Sequence, residues 1–254
     1  GLGDVYKRQL QKSCDYYLRL AEQQENKTRA YLALAKTYFE MQDYTSSIYY
    51  IEALLDNKDA LSKYELSELY GDIALCHAAL KHIGVGQASI RRSLELNEND
   101  PDTLIVAGRF FLMEAKACND ETAKAENQAK GELYFRQALN LIMEDERLDY
   151  LFTIGAACFD TQNFKLAAQY YEQINREFPD NAPATYFFLA YCYFYLEEAI
   201  SCMHYIAKMK HELPDAYSNL GTSDSILSDT RFNELMRNLK DSVNNGKVDL
   251  DNFL

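Results

Sequence analysis

The stretch LDYLFTIGAACFDTQNFKLAAQYYEQINREFPDN, residues 148–181, shows the pattern on which the whole chain is built. Apolar residues recur at helical spacing in two segments, and the polar residues 161–163 separate them. Small residues lie where two helices would approach closely, at Gly155, Ala156, Ala167 and Ala168. Pro179 follows where a helix cannot continue. The stretch therefore predicts two antiparallel helices joined by a tight turn.

This spacing resembles the tetratricopeptide repeat (TPR), a helix–turn–helix unit with a period of about 34 residues. Counted from Leu148, the family's marked positions 4, 7, 8, 11, 20, 24, 27 and 32 hold Leu151, Ile154, Gly155, Cys158, Ala167, Tyr171, Ile174 and Pro179. Four further units are predicted at residues 28–61, 67–100, 101–147 and 183–214. The resemblance implies an all-α fold, a right-handed α/α superhelix (TPR solenoid) of about five helix pairs.

The two ends of the chain depart from the repeat. Residues 1–9, GLGDVYKRQ, resemble a translated sequencing adapter and are predicted to be non-native. Residues 10–25 are predicted to be the second helix of a truncated repeat, so the native protein is expected to extend further at this end. Residues 215–254 are predicted to form a cap and tail, with a loop at 218–225 and a helix at 230–243 that Asp229 caps and Asn244, Asn245 and Gly246 end.

Three local patterns refine these boundaries. Ser62 and Glu65 have the spacing of a capping box, which predicts a helix beginning just after Ser62. About eleven extra residues around 118–128 break the period, and they are expected to lengthen the helices and the connecting loop there. The turn at 196–198 is interpreted as shortened, so that Ala199, Met203 and Ile206 would face the core from the second helix.

The charge and the cysteine pattern of the chain indicate which partners are disfavoured and which cellular compartment is expected. The chain has 254 residues and a formal net charge of −13, and such a surface repels nucleic acid and anionic membranes. No apolar run approaches the roughly 20 residues that a membrane span needs. No secretory signal is evident, so a cytoplasmic protein is predicted. The six cysteines show no CxxC pair, which favours buried thiols in a reducing compartment.

No motif for catalysis or cofactor binding occurs in the sequence. His77 and His82 are five residues apart and would lie off one helical face, whereas His204 and His211 are two turns apart. Neither spacing is that of a metal-binding pair on one helix. We therefore expect a protein that is not an enzyme, with no cofactor and no metal.

The resemblance places binding surfaces on the first helix of each unit, at positions 2, 5, 9, 12 and 13. Chaperone adaptors of the family carry Asn at position 9 of a clamp for peptide carboxylates, and no unit here does. The last two units instead supply an aromatic stripe, which is the candidate groove for a protein or peptide partner. The aromatic stripe consists of Phe152, Phe159, Phe187, Tyr191, Phe194 and Tyr195.

Two interpretations of the aromatic stripe remain open. It is either an exposed groove for a peptide with apolar anchors, or it is covered by the C-terminal segment through Phe232, Leu235 and residues 253–254. The covered interpretation is favoured for Phe187 and Phe194. The groove is favoured for Tyr191 and Tyr195, whose hydroxyls tolerate water.

The resulting functional hypothesis is a non-catalytic scaffold for protein–protein interaction. The alternative is a sensory or regulatory TPR module of a larger signalling or transcription-regulatory protein, which would continue beyond the half repeat at Leu10.

Overall fold

A computed structural model of the chain describes residues 2–58, 61–219 and 226–244. The chain divides into two compact units, Gly1–Ile142 and Met143–Leu254, which are described separately. Within the described ranges the regular structure is helical and contains no strand. The predicted all-α class is confirmed for this part of the chain.

The first unit is a succession of antiparallel helix pairs in which each helix packs against the next, and α4 also packs against α6. Its helices are α1 (Leu2–Ala21), α2 (Lys27–Glu40), α3 (Tyr44–Leu55), α4 (Lys63–Ala79), α5 (Ile83–Leu96), α6 (Pro101–Ala117) and α7 (Glu121–Leu139). The capping box is confirmed at the start of α4. There the Ser62 hydroxyl accepts from the Glu65 amide, and the Glu65 carboxylate accepts from the Ser62 amide.

Helix α1 includes most of the adapter-like residues. It begins at Leu2 and continues without a break into the segment predicted to be a half repeat. Leu10 and Cys14 are buried, and the Tyr6 hydroxyl donates to the Glu40 carboxylate of α2 over 3.0 Å. Helix α1 therefore shows no break at residue 10, where the sequence predicted that the adapter-like segment ends.

The second unit continues the pairing with shorter helices. Its helices are α8 (Arg147–Asp160), α9 (Phe164–Glu177), α10 (Tyr186–Tyr195), α11 (Ala199–Glu212), α12 (Pro214–Asn219) and α13 (Thr230–Asn244). A 3₁₀ segment, Pro179–Thr185, links α9 to α10, and so α10 begins three residues after Pro183, the start of the predicted unit. The predicted C-terminal helix is confirmed, and the Asp229 carboxylate accepts from the Arg231 amide at its start.

Other parts of the predicted C-terminal cap either differ from the prediction or lie outside the described residues. Ser218, predicted to lie in a loop, belongs to α12. The remainder of that loop, residues 220–225, and the predicted residues Asn245, Gly246, Phe253 and Leu254 lie outside the described residues.

Four of the hairpins contain the same turn. In four of the five predicted units, the fifteenth residue has a positive φ of 60–63° although none of these residues is glycine. In the turn of residues 161–163, the Gln162 amide donates to the Phe159 carbonyl and the Asn163 amide to the Cys158 carbonyl, both over 2.9 Å. This pair of bonds is the Schellman arrangement, which satisfies carbonyls left unpaired at a helix end. The four left-handed residues are Gln42, Lys81, Gln162 and Glu197.

This shared turn corrects the interpretation of the last predicted pair. Because Glu197 occupies the same place as the other three residues, the turn at 196–198 is not shortened. The second helix faces the core with Cys202, Ile206 and Met209, which are all buried. Ala199 is half-buried and Met203 is exposed, so those two residues do not belong to that face.

The hairpin of α6 and α7 differs from the other four. Its connection is only residues 118–120, with Cys118 in an extended conformation and Asp120 capping α7 through the Ala123 amide. The long loop expected around 118–128 does not form, because most of the extra residues extend α7 toward its N-terminus.

Small residues allow helices to approach closely where the repeat pattern predicts them. A Cβ on Gly86 of α5 would lie 2.8 Å from the Phe110 ring of α6. A Cβ on Gly131 of α7 would lie 2.9 Å from the Gly108 carbonyl oxygen of α6. Both distances are shorter than real contacts of Cβ atoms, so these positions cannot accept a larger residue without movement.

The cysteines behave as small apolar core residues. All six are free, and five of them are buried. Burial raises the pKa of the Cys76 thiol to about 11 and those of Cys192 and Cys202 to about 12, so these thiols stay protonated at neutral pH. Among the described helices, none has both the length and the apolar character required to span a bilayer.

Candidate peptide-binding surface

The aromatic stripe is supplied by two helices of the second unit. Phe152 and Phe159 lie on α8, and the other four rings lie on α10. Phe187 is 40% exposed and Tyr195 is 43% exposed. Phe152, Phe159 and Tyr191 are half-buried, whereas Phe194 is buried. The predicted residues therefore form a surface with two exposed rings, three half-buried rings and one buried ring.

Three of the predicted rings meet directly. The ring centroids of Phe187 and Tyr191 are 4.6 Å apart, on successive turns of α10. Tyr191 in turn contacts Phe159 of α8 at 6.3 Å in an edge-to-face arrangement. Such contacts fix the side-chain rotamers, so a ligand meeting these rings would order few additional groups.

Two further rings, which the sequence analysis did not assign to the site, connect the rest. Phe188 contacts Phe159 at 5.4 Å and Phe187 at 5.5 Å. Phe164, the first residue of α9, stacks on Tyr195 with a centroid distance of 4.4 Å and contacts Phe159 at 5.7 Å. Phe159 is therefore the centre of the surface.

Phe152 stands apart from the other predicted residues. Its ring contact is with the buried Tyr171, at 6.4 Å, and Tyr171 stacks on Phe188 at 4.9 Å. The structure thus brings five of the six predicted residues into one connected group through Phe164 and Phe188, and Phe152 joins only through the core.

The C-terminal segment covers one end of the aromatic stripe. Phe194 lies 6.4 Å from Phe232 of α13, as the covered interpretation expects for Phe194. The backbone of Ile226 interacts with the Tyr191 hydroxyl, and burial raises the pKa of that hydroxyl. Phe187 remains exposed, so the same interpretation does not hold for Phe187.

An ion pair between Arg231 and Asp229 lies beside two rings of the aromatic stripe, the buried Phe194 and the exposed Tyr195. The Arg231 guanidinium lies 5.2 Å from the Phe194 ring centroid and 5.4 Å from that of Tyr195. Asp229 accepts from this guanidinium with both carboxylate oxygens, and the interaction lowers the pKa of Asp229. The position of Arg231 over the two rings is therefore fixed by an ion pair.

Beside the Arg231–Asp229 ion pair lies a cleft of about 330 Å³. It is lined by Phe194, Tyr195, Glu197, Arg231, Glu234, Leu235 and Asn238. The carboxylates of Glu197 and Glu234 are exposed. The cleft thus combines apolar walls with acidic groups at its edge, next to the open end of the aromatic stripe.

The charge of the second unit is strongly acidic. Residues 143–254 contain 18 Asp and Glu against 9 Lys and Arg, so they carry −9 of the net charge of −13. At neutral pH this excess produces a potential that attracts basic segments and repels acidic ones.

In the first unit, the corresponding first-helix face is polar. Asp72 of α4 interacts with Lys36 of α2 and Arg109 of α6, while burial raises its pKa to about 6. The Arg109 guanidinium also lies 5.7 Å from the Phe39 ring centroid. This face has charged residues of both signs.

In a typical metal site, several His, Cys, Asp or Glu side chains converge. Within the described ranges, no group of three or more His, Cys, Asp or Glu side chains is arranged to hold a metal ion.

No protein-family model matches the chain, and no curated protein matches it in sequence.

Proposed function

We propose that the second unit binds a peptide segment of another protein on the aromatic stripe, without catalysis. The observation that carries this proposal is the joint exposure of Phe187 and Tyr195, two large rings at opposite ends of α10 that are connected through Phe159, Phe164 and Tyr191. Contiguous apolar surface of this kind is typical of interaction sites.

We further propose that the chain is a TPR-type right-handed helical array. The repeated left-handed turn at the fifteenth residue of four units supports this, because a chance succession of hairpins would not repeat one turn at one position. The close approach of α5 and α6 at Gly86, and of α6 and α7 at Gly108, supports it as well.

The chemistry of the surface defines the partner. Exposed rings accept apolar or aromatic anchors, and the acidic excess of residues 143–254 favours Lys or Arg beside those anchors. The partner is therefore a protein segment with apolar anchors flanked by basic residues. The same acidic excess disfavours nucleic acid and anionic lipid, and a cytoplasmic setting is consistent with the reduced cysteines.

The test is selection from a displayed library of random peptides, followed by measurement of affinity. We expect the selected peptides to share apolar anchors and basic flanks. The double variant Phe187→Ala/Tyr195→Ala should bind them about 30- to 1,000-fold more weakly, because each aromatic anchor contributes on the order of 1–2 kcal/mol. Tyr191 is left intact because it also contacts the C-terminal segment.

The matched control is Tyr49→Ala, which removes an exposed ring from α3 of the first unit. It should leave the affinity unchanged. Equal binding of the selected peptides by the wild type and by the Phe187→Ala/Tyr195→Ala variant would reject the aromatic stripe as the binding site. Selection of acidic peptides would reject the proposed partner chemistry.

A further inference from the structure

His77 and His82 meet in the hairpin between α4 and α5, although they are too far apart in sequence to share one face of a helix. Their Nδ1 atoms are 3.4 Å apart, and their ring planes are inclined by 42°. His77 lies in the last turn of α4, and His82 immediately precedes α5. The two rings therefore lie on either side of the turn that joins α4 to α5.

The left-handed turn causes this meeting. Lys81 has a φ of 62°, and the His82 amide donates to the His77 carbonyl over 2.8 Å. The same turn brings together Tyr38 with Asp43 and Tyr193 with Glu198 in other hairpins, where burial raises the pKa of each tyrosine and the acidic residue adds to that effect. In the α4–α5 hairpin, both of these positions carry imidazoles.

The distance between the two Nδ1 atoms matches the distance between two nitrogen ligands of one zinc ion. Zn–N bonds of 2.0–2.1 Å at tetrahedral angles place two nitrogen ligands of one ion about 3.3 to 3.4 Å apart. The Nδ1 atoms of His77 and His82 already have this separation. Their alternative state, a hydrogen bond between one protonated and one unprotonated nitrogen, requires the same approach.

We propose that His77 and His82 chelate one Zn²⁺ ion through their Nδ1 atoms, as a two-histidine site that clamps the α4–α5 hairpin. Imidazole is a preferred ligand for zinc, and water would complete the coordination because no third metal-binding side chain joins the pair among the described residues.

The surroundings favour a neutral, metal-binding pair. Burial and the neighbouring His82 lower the pKa of His77, so its imidazole is unprotonated at neutral pH. The carboxylate of Glu52 on α3 interacts with His77 and opposes that shift, so it would attract a bound cation. His82 is exposed, which leaves a path for the ion from solvent.

The experiment is calorimetric titration of the full chain with Zn²⁺, in the presence of a reductant that does not bind metal. We expect one ion per chain, bound more than about tenfold more weakly in His77→Gln and in His82→Gln. The variant His204→Gln/His211→Gln is the control, because it removes two imidazoles from α11 and should keep the wild-type affinity.

A second measurement separates binding from folding. Zinc should raise the melting temperature of the wild type and of the α11 control, but not that of His77→Gln or His82→Gln, whose circular dichroism without metal should match the wild type. Binding only at millimolar zinc, or equal affinity in wild type and His77→Gln, would overturn the proposal. Loss of binding in the α11 control would also overturn it.

Discussion

Gly155 of α8 lies directly against the Tyr171 ring of α9, so that a Cβ at residue 155 would be 2.9 Å from the Tyr171 Cε1 atom. Tyr171 is fully buried and also stacks on Phe188, so it cannot move aside without disturbing the aromatic surface. The glycine thus determines how closely α8 and α9 pack beneath the candidate binding site.

Replacement of this glycine should destabilise the protein. We expect Gly155→Ala to lower the free energy of unfolding by about 1–3 kcal/mol, since the cost of overpacking exceeds the gain of up to about 1 kcal/mol in helix propensity. Urea unfolding followed by far-UV circular dichroism measures this. Gly84→Ala is the control, because a Cβ at Gly84 would have no neighbour within 4 Å. A stable Gly155→Ala would contradict the close packing of α8 and α9.

The hydroxyl of Tyr171 gives a second prediction. It is buried and has no hydrogen-bond partner among the described residues, and burial raises its pKa well above the ordinary value. Tyr171→Phe removes this unpaired group and keeps the ring, so we expect stability to increase by about 1 kcal/mol. The comparison is Tyr205→Phe, whose hydroxyl donates to Glu172 over 2.7 Å and whose loss should destabilise the fold. A destabilised Tyr171→Phe would show that the hydroxyl has a partner.

The left-handed turns provide a third prediction. Gln162 adopts a φ of 62°, which costs a residue with a Cβ roughly 1–2 kcal/mol and costs glycine nothing. Gln162→Gly should therefore raise the free energy of unfolding by about 0.5–1 kcal/mol, after the larger entropy of the unfolded chain is included. Gln169→Gly, in the middle of α9, should instead lower it by about 1 kcal/mol. The same sign for both variants would rule out a left-handed conformation at Gln162.

The fourth prediction concerns alkaline pH. The hydroxyls of Tyr193 and Tyr205 both donate to one oxygen of Glu172, over 2.9 and 2.7 Å. Burial and this carboxylate raise both pKa values above the ordinary value of 10.0. The folded protein therefore retains protons that the unfolded chain releases above pH 10, so stability is maintained below that pH and falls as the pH rises further.

The measurement is urea unfolding between neutral pH and the alkaline range. Tyr193→Phe/Tyr205→Phe should be less stable than the wild type at neutral pH, because hydrogen bonds to a carboxylate are lost, but its stability should fall less steeply above pH 10. Tyr49→Phe, at an exposed position, serves as the control. Parallel pH profiles for the wild type and the double variant would disprove the coupling.

The sequence predicted local features well where one short pattern has one physical cause. The capping box at Ser62, the N-cap at Asp229 and the turn at residues 161–163 are all in place. At the α6–α7 hairpin the extra residues lengthen α7 as predicted, but the predicted long loop does not form, and the turn of residues 196–198 is not shortened. In those two places, polar residues were compatible with either a loop or a helix, and only packing against neighbouring helices distinguishes them.

The sequence anticipated only part of the grouping of aromatic rings on this surface. Helical spacing identified the rings on α8 and α10, because residues on one helical face repeat every three or four positions. It could not identify Phe164, which comes from a different helix, or show that α13 buries Phe194 while leaving Phe187 exposed. Those contacts depend on where separate elements lie in space.

The sequence by itself determined the helical class, the repeating hairpins and most of the helix ends, since these follow from periodicity, capping and helix-breaking residues within a few positions of one another. Only the tertiary structure decided which rings reach solvent and which imidazoles meet. His77 and His82 illustrate the reason. Their Nδ1 atoms are 3.4 Å apart because the left-handed residue Lys81 reverses the chain between them, and helical spacing does not encode such a reversal.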